Sequence, residues 1–383
     1  EAAADRLGVA DDSLLQAVWF DRGPDQPGML LVAIHHLVVD GVSWRVLLPD
    51  FAAGWEAIRA GMPISLPAKG TSFRRWSTLL ASDAQTPARL AELPMWRQIS
   101  AGAEPVVKGD LDPVRDVHAE AGMVSARLTV AQTVPLLGRV PAAFHAGIQD
   151  ILLAAFGFAV VEWSRRRGRR FGPLVVDVEG HGREETLAPD IDLSRTVGWF
   201  TSMYPVRLDT EALSWDDFLA GGPLASRGVK QIKEQLRAIP GGGLGYGLLR
   251  YLNTQTREEL AATRRPDVGF NYLGRVSSSA EASAWSPVPG PNGEGSFLGG
   301  SPAGMPLSHV LELNAITYDT ADGPQLVANW TFAGAHLAQD EVGELADMWF
   351  AALNAITTCV DETGGGLSPS DVALTTLTQQ QID

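Results

Sequence analysis

Two adjacent histidines, His35 and His36, close an apolar run, and Asp40 follows them after three residues more. An imidazole takes up and releases protons near neutral pH, so a histidine here could act as a general acid or base. Successive side chains of a strand point to opposite faces, so only one of the two histidines can face a cleft. The pattern of apolar residues before them does not indicate which of the two histidines faces the cleft. Both could instead be core histidines with hydrogen-bonded nitrogens.

Metal, nucleophile and nucleotide chemistry are disfavoured. Metal ligands converge, whereas adjacent strand histidines diverge, and the sequence has neither an HExxH motif nor a cysteine pair. It has no GxSxG motif, and its single cysteine, Cys359, lies in an apolar, helix-like stretch. The glycine-rich Pro240–Gly247 lacks the spacing of phosphate-binding loops. We therefore expect proton transfer without a metal.

The stretch EGHGRE, Glu179–Glu184, brings a second group of polar residues to the end of a buried strand. A lone glutamate at a strand end is normally solvated. Here two glycines flank the following histidine and let backbone or ligand approach closely, so Glu179 is the best acid–base partner for a histidine. Arg183 and Arg195 are predicted to hold their motifs by ion pairs.

The candidate residues lie where strands end. Leu15–Phe20 and Gly28–His36 are predicted to form a hairpin, and a helix should follow Asp40, kinked or divided at Pro49. Downstream, the sequence predicts helices over Gly147–Trp163, Asp216–Leu236 and Asp340–Val360, strands over Leu174–Val178, Thr196–Arg207, Asp267–Leu273, Val310–Tyr318 and Gln325–Phe332, and a loop over Ser277–Gly304.

Length and composition predict two α/β lobes in a cytoplasmic protein. The 383 residues are 45% hydrophobic, and strands alternate with helices twice, which divides the chain into 1–172 and 173–383 with a site between. The net charge of −15 argues against nucleic acid as a partner. A membrane is not expected either, because no apolar run reaches the roughly 20 residues that span a bilayer. The lone cysteine fits a reducing compartment.

Several motifs together resemble the epimerization domains of nonribosomal peptide synthetases, which belong to the condensation-domain superfamily. HHLVVDGVSWR resembles the histidine motif of the superfamily, and its GVSWR ending resembles the epimerization branch. EGHGRE and FNYLGR are the more specific matches. The remaining matches follow in family order along almost the whole chain: QDILLAAFGFAV, RTVGWFTSMYPVRL, PGGGLGYG and, at the end, LSPSDVALTTLTQQQID.

The resemblance implies a V-shaped pair of chloramphenicol-acetyltransferase-like lobes. It places the catalytic histidine at His36, the second of the pair, and the facing glutamate at Glu179. Tyr272 and Asn271, from FNYLGR, become candidates to stabilise an enolate oxygen, while His35, Asp40 and Arg183 become structural residues of the site. The family has a further stretch ahead of the histidine motif, so the first lobe is expected to lack its N-terminal part here.

The implied reaction converts the Cα of an L-aminoacyl or L-peptidyl thioester to a mixture of D and L forms. The substrate would arrive on the 4′-phosphopantetheine of an upstream carrier domain, and the chain would need no cofactor of its own. Adenylation and downstream condensation domains of an antibiotic-producing assembly line are the other implied partners. Two alternatives share the fold: a condensation domain that forms peptide bonds, and a non-catalytic recruitment domain.

Overall fold

A computed structural model of the chain describes residues 3, 6–9, 13–101, 105–107, 109–169, 173–210, 214–277, 285, 288, 302–372 and 377–382. It contains two compact units, one formed by Glu1–Asp83 with His181–Ser202 and one by Ala84–Gly180 with Met203–Asp383. The predicted lobe boundary falls on residues 170–172, outside the described residues, so the division at 172 stays a prediction. Most of the loop predicted at 277–304 lies outside them too.

The first unit contains the predicted hairpin. Strands β1 (Leu15–Phe20) and β2 (Met29–Ile34) pair antiparallel, with Leu15 opposite Ile34. Helix α1 (Gly41–Arg59) runs without a break through Pro49, so the proline neither divides the helix nor starts a second one. A proline removes one backbone hydrogen bond, and the flanking turns of this long helix keep theirs. Helix α2 (Phe73–Asp83) follows.

The second unit is built on a mixed sheet. Its described strands lie in the order β3-β8-β7-β6-β4-β5, in which β3-β8 and β8-β7 are antiparallel while β7-β6 and β6-β4 are parallel. The strands are β3 (Ala121–Arg127), β4 (Leu174–Gly180), β5 (Ser202–Leu208), β6 (Val268–Ser277), β7 (Leu311–Thr320) and β8 (Gly323–Ala333). The strand predicted from Thr196 therefore starts only at Ser202.

The helices of the second unit vary widely in length. In chain order they are α3 (Pro87–Leu90), α4 (Leu93–Ala101), α5 (Val130–Leu137), α6 (Arg139–Ala143), α7 (Ile148–Arg166), α8 (Trp215–Leu219), α9 (Gly222–Arg237), α10 (Leu244–Gly247), α11 (Arg257–Ala261), α12 (Gln339–Thr363) and α13 (Gln379–Ile382). The helix predicted over Asp216–Leu236 is two helices. Gly221 separates them with φ +73, a left-handed conformation that ends α8.

The core of the second unit lies on one face of this sheet. Helix α7 is buried along almost its whole length and packs against α9 and α12, which explains why its sequence is apolar all round. In the described part of the chain no single helix is long and apolar enough to cross a membrane. Only the bent pair Val130–Ala143 and Ile148–Arg166 passes that test, by length and composition alone, and its second member is this core helix.

Strand alternation places polar residues on part of the other face of the sheet, although Val175 on that face packs in a second hydrophobic cluster. On β4, Val176 and Val178 belong to the core, and on β7 Leu311, Leu313 and Ala315 do. Four residues that alternate with these core residues point the other way and are acidic or amide side chains: Asp177, Glu179, Glu312 and Asn314. The fold thus gathers polar groups from distant parts of the sequence on one sheet surface.

Candidate functional site

The alternation argument assumed that both histidines continue the strand, but they do not. Strand β2 ends at Ile34, His35 caps a one-turn 3₁₀ helix over His36–Val38, and the His35 imidazole Nδ1 accepts a hydrogen bond of 3.2 Å from the Leu37 amide. A side chain that bonds the backbone two residues on competes with a strand ladder. His36 is exposed, and its ring centroid lies 4.7 Å from that of Trp199.

Asp40 is buried and accepts hydrogen bonds from several residues of the first unit. Its side chain is only 3% exposed, and it caps helix α1 by accepting hydrogen bonds of 2.7 Å from both the amide and the hydroxyl of Ser43. The amide of Phe200 donates to the same carboxylate at 3.1 Å, and Arg183 donates to it at 3.1 Å. The turn after the histidines is therefore tied to residues 183–200.

Two residues of EGHGRE explain the unusual composition of that motif. Gly182 has φ +64, and a Cβ there would lie 1.7 Å from the carbonyl oxygen of Phe200, so only glycine fits. Arg183 donates to the carbonyls of Leu193 and Thr196 and stacks its guanidinium 3.9 Å from the Phe200 ring centroid. These contacts and the ion pair to Asp40 connect Arg183 to the turn after the histidines and to residues 193–200.

The ion pair predicted for Arg195 is present too. Its guanidinium donates to both carboxylate oxygens of Asp50, at 2.8 Å each. Asp50 lies on α1, so a second arginine connects this helix to the segment that follows EGHGRE. Both arginines are thus accounted for by contacts within the first unit.

Glu179 lies on β4 in the second unit, at the polar face of the sheet. The side-chain amide of Asn271, on the neighbouring strand β6, donates a 2.7 Å hydrogen bond to its Oε2. Burial, together with the negative charge of Glu312, raises the pKa of Glu179 to about 7, although His309 acts in the opposite direction. A carboxyl group with this pKa holds and releases a proton near neutrality, as general acid–base catalysis requires.

Tyr272 lies on the opposite face of β6 from Asn271. It packs against the core, and its hydroxyl is 3.0 Å from the hydroxyl of Thr317. Just beyond it, the register with β7 shifts between Tyr272 and Arg275, where Gly274 has φ +84. The glycine of FNYLGR thus permits a bulge. The structure brings Asn271 to Glu179, whereas Tyr272 is directed to the core side.

Beneath Glu179 lies a row of charges that the sequence did not indicate. Asp177, Gly269 and Glu312 are side by side on β4, β6 and β7. His309 fills the space above the glycine: its Nε2 is 3.1 Å from Asp177 Oδ2 and its Nδ1 is 3.4 Å from Glu312 Oε2. With Glu179, these residues line a cavity of about 10 Å³, room for about one water molecule.

The charges in this row stabilise one another. Burial alone would lower the pKa of His309, but its hydrogen bonds to Asp177 and Glu312 outweigh burial and raise that pKa to about 9. For Glu312, burial acts to raise the pKa, and the hydrogen bond and charge of His309 outweigh it, so the pKa is lowered. At neutral pH the row therefore holds an imidazolium beside ionised Glu312.

Among the described residues, no group of three or more His, Cys, Asp or Glu side chains is arranged to hold a metal ion.

Replacing Gly269 by alanine should displace the His309 ring. An added Cβ would lie 2.6 Å from Nδ1, so the ring must leave its two carboxylates, and we expect a loss of about 1–3 kcal/mol in the free energy of unfolding. Gly343→Ala is the matched control, because its Cβ meets nothing within 4 Å on helix α12. Thermal unfolding compares the two. Equal unfolding midpoints for Gly269→Ala and Gly343→Ala would show that Gly269 does not determine the position of the His309 ring.

Sequence reasoning missed Asp177, His309, Glu312 and Asn314. The signal that could have found three of them is a polar residue at every second position of an otherwise apolar strand: Asp177 with Glu179, and Glu312 with Asn314. His309 precedes its strand and carries no such signal. The glycine-rich Pro240–Gly247, by contrast, is a packing motif, since a Cβ at Gly243 would meet the Tyr204 ring and one at Gly245 would meet Glu92.

Comparison with known proteins agrees with this architecture. The sequence pattern described as "Condensation domain" matches residues 1–289. A linear gramicidin synthase of Brevibacillus parabrevis is 37% identical over 389 residues, 99% of this chain and 7% of that protein. Gramicidin S synthase 1 of Brevibacillus brevis is 34% identical over 364 residues, 92% of this chain and 31% of that protein. The chain thus spans less than a third of either relative.

A solved structure is similar over most of this chain. The epimerization domain from the third module of tyrocidine synthetase B superposes with a TM-score of 0.75 at 32% identity, covering 91% of this chain and 73% of that one. The predicted α/β fold and the resemblance drawn from the motifs are both confirmed. The chain belongs to the condensation-domain family.

Proposed function

We propose that the chain epimerises the Cα of an aminoacyl or peptidyl thioester bound to a carrier domain in nonribosomal peptide synthesis. The observation that carries the proposal is the half-buried Glu179, whose carboxyl group has a pKa of about 7 and is hydrogen-bonded to Asn271. Similarity to a solved epimerization domain supports it. The product is a mixture of D and L forms, and the D-amino acid passes into an antibiotic-type peptide.

The chemistry needs two acid–base groups. A thioester carbonyl delocalises the electron pair left at Cα, so a base can take the α-proton and leave an enolate, and an acid on the other face can return a proton. His36 and Glu179 exchange these roles for the two directions. Of the two candidates, Asn271 is placed to donate a hydrogen bond to the enolate oxygen because it is oriented beside Glu179, whereas Tyr272 is directed to the core side.

The substrate chemistry also indicates which partner domains the reaction needs. The thioester arrives on the 4′-phosphopantetheine of an upstream carrier domain, and the chain itself contributes only side chains. Adenylation and downstream condensation domains complete the assembly line. The curated relatives are far longer than this chain, which is consistent with such an arrangement.

Peptide-bond formation is the second candidate, favoured by the condensation-domain pattern over residues 1–289. In that reaction His36 would assist the attack by the amine of a second carrier-bound substrate. Glu179 distinguishes the two functions: condensation has no evident use for a second group that titrates near neutrality, whereas inversion requires it. A recruitment domain of the same fold would use neither residue for chemistry.

Deuterium incorporation tests the proposal. The protein that carries this chain is loaded with an L-aminoacyl or L-peptidyl thioester on its carrier domain and placed in deuterated water. Mass spectrometry and chiral analysis should show deuterium at Cα and a drift to a D/L mixture without a second loaded carrier. Labelling that required a second carrier would favour condensation, and no labelling with any thioester would remove the epimerase assignment.

A further inference from the structure

Neighbouring side chains hold the Glu312 carboxylate in place. His309 Nδ1 is 3.4 Å from its Oε2, and the side-chain amide of Asn314 donates to its Oε1 at 2.6 Å. Both carboxylate oxygens therefore have a partner. The partners come from β7 itself and from the segment just before it, so the position of the carboxylate is fixed by its own strand.

The register places Glu312 one row below Glu179. Gly269, which has no side chain, lies between Asp177 and Glu312 in that row, and Asn271 lies between Glu179 and Asn314 in the next. Glu179 and Glu312 line the same cavity, which has room for about one water molecule. The titratable groups around Glu179 are Asp177 on the same strand, Glu312 and His309, and His118 lies within electrostatic range of Glu312.

We propose that Glu312 is a positioning residue for Glu179: its carboxylate, fixed by His309 and Asn314 one row away in the cavity that Glu179 lines, opposes a negative charge on Glu179 and so favours the form of that group that can donate a proton. His309 and Asn314 act through Glu312 by holding it in place and ionised. The catalytic meaning of this arrangement rests on the proposed epimerization, in which Glu179 must give a proton in one direction and take one in the other.

The sign of the effect follows from the charges. Like charges disfavour the ionised form, so removing the charge of Glu312 should lower the pKa of Glu179 and move its titration to lower pH. Each pH unit of such a shift raises the ionised fraction below the midpoint about tenfold. Burial of Glu179 remains, so part of its raised pKa should remain too.

Carbon-13 NMR of the labelled protein measures this titration without any turnover. The Glu179 carboxyl signal is assigned by its loss in Glu179→Gln, and its midpoint is expected near pH 7 in the parent. Glu312→Gln and Glu312→Ala should lower the midpoint by similar amounts, because both remove the charge. Glu312→Asp, which keeps the charge, should shift it less, and Glu258→Gln on the exposed face of α11 should leave it unchanged.

A midpoint that stays in place in both neutral variants would overturn the proposal. A shift in the alanine variant alone would overturn it as well, because loosened packing admits water and lowers the pKa of a buried carboxyl group without any role for charge. If Glu312→Gln does not fold, Glu312→Asp supplies the comparison, because it changes the packing and keeps the charge: a shift in Glu312→Asp as large as that in Glu312→Ala would overturn the proposal.

Turnover gives the second readout. In the direction of inversion in which Glu179 is the base, the turnover rate should rise with pH through the Glu179 midpoint, and in the reverse direction it should fall. Glu312→Gln should move both limbs of the pH–rate profile to lower pH. If the parent shows no inversion while the NMR midpoint still shifts, the proposed function fails and the role of Glu312 stands. If inversion is present and neither the NMR midpoint nor the limbs shift, the role of Glu312 fails alone.

Discussion

Replacing Glu179 by glutamine should lower the rate of inversion by about 10²- to 10⁴-fold, the usual contribution of one general acid–base group. Glutamine keeps the shape and can still contact Asn271, but it neither takes nor gives a proton. His36→Ala should have an effect of the same size. Chiral analysis of the released thioester measures inversion, and Glu258→Gln, an exposed carboxylate of the second unit, is the control.

A finer result separates the two acid–base roles. One remaining group can still remove a proton and return it on its own face, so either single variant should retain slow deuterium exchange at Cα without inversion. Exchange is read by mass spectrometry of the same samples. Full inversion in Glu179→Gln would show that another group supplies the second proton, and the assignment of Glu179 would be wrong.

Replacing Asp40 by alanine should destabilise the first unit by about 3–5 kcal/mol, because it leaves the guanidinium of Arg183 buried without its counter-charge. The same change removes the cap of α1 and the acceptor for the Phe200 amide. Amide hydrogen exchange of segment 41–59, followed by mass spectrometry, should accelerate by about two to four powers of ten if it reports this loss locally.

Two comparisons show whether the buried charge is the cause. Asp190 also pairs with an arginine, Arg75, but both side chains are more than half exposed, so Asp190→Ala should leave exchange in the first unit unchanged. The double variant Asp40→Asn with Arg183→Met leaves no buried charge and keeps a capping acceptor, and it should recover stability relative to Arg183→Met alone. His36→Ala should not loosen this segment. Loosening by His36→Ala, with only slowed turnover in Asp40→Ala, would reverse the proposed roles of these two residues.

The sequence was sufficient for the strands, helices and motifs that depend on local patterns. The hairpin of β1 and β2, the buried helix α7 and the strand that carries Glu179 follow from apolar periodicity and from turn residues between apolar runs. The sequence also predicted an ion pair for Arg183, and the resemblance implied a structural role for Asp40. The structure supplies their partners, Ser43 and Phe200 among them.

Local patterns were insufficient where a single residue or a distant one decided the outcome. Alternation predicted His35 and His36 on opposite faces of a strand, but a side-chain bond to the Leu37 amide ends the strand first. The helix predicted over Asp216–Leu236 is broken at Gly221, whose left-handed conformation no periodicity reveals. Tyr272 and Asn271 are neighbours in sequence, yet strand geometry turns only Asn271 towards Glu179.

By itself, then, the sequence determined that this protein has an α/β fold, a histidine and a glutamate at strand ends, and motifs of the condensation-domain superfamily. Only the tertiary structure decided how the Glu179 carboxyl group titrates. Its pKa depends on burial and on the charge of Glu312, more than a hundred residues away in sequence and in the next row of the sheet. Electrostatic interactions depend on distance and local dielectric, and both are set by strand register and packing.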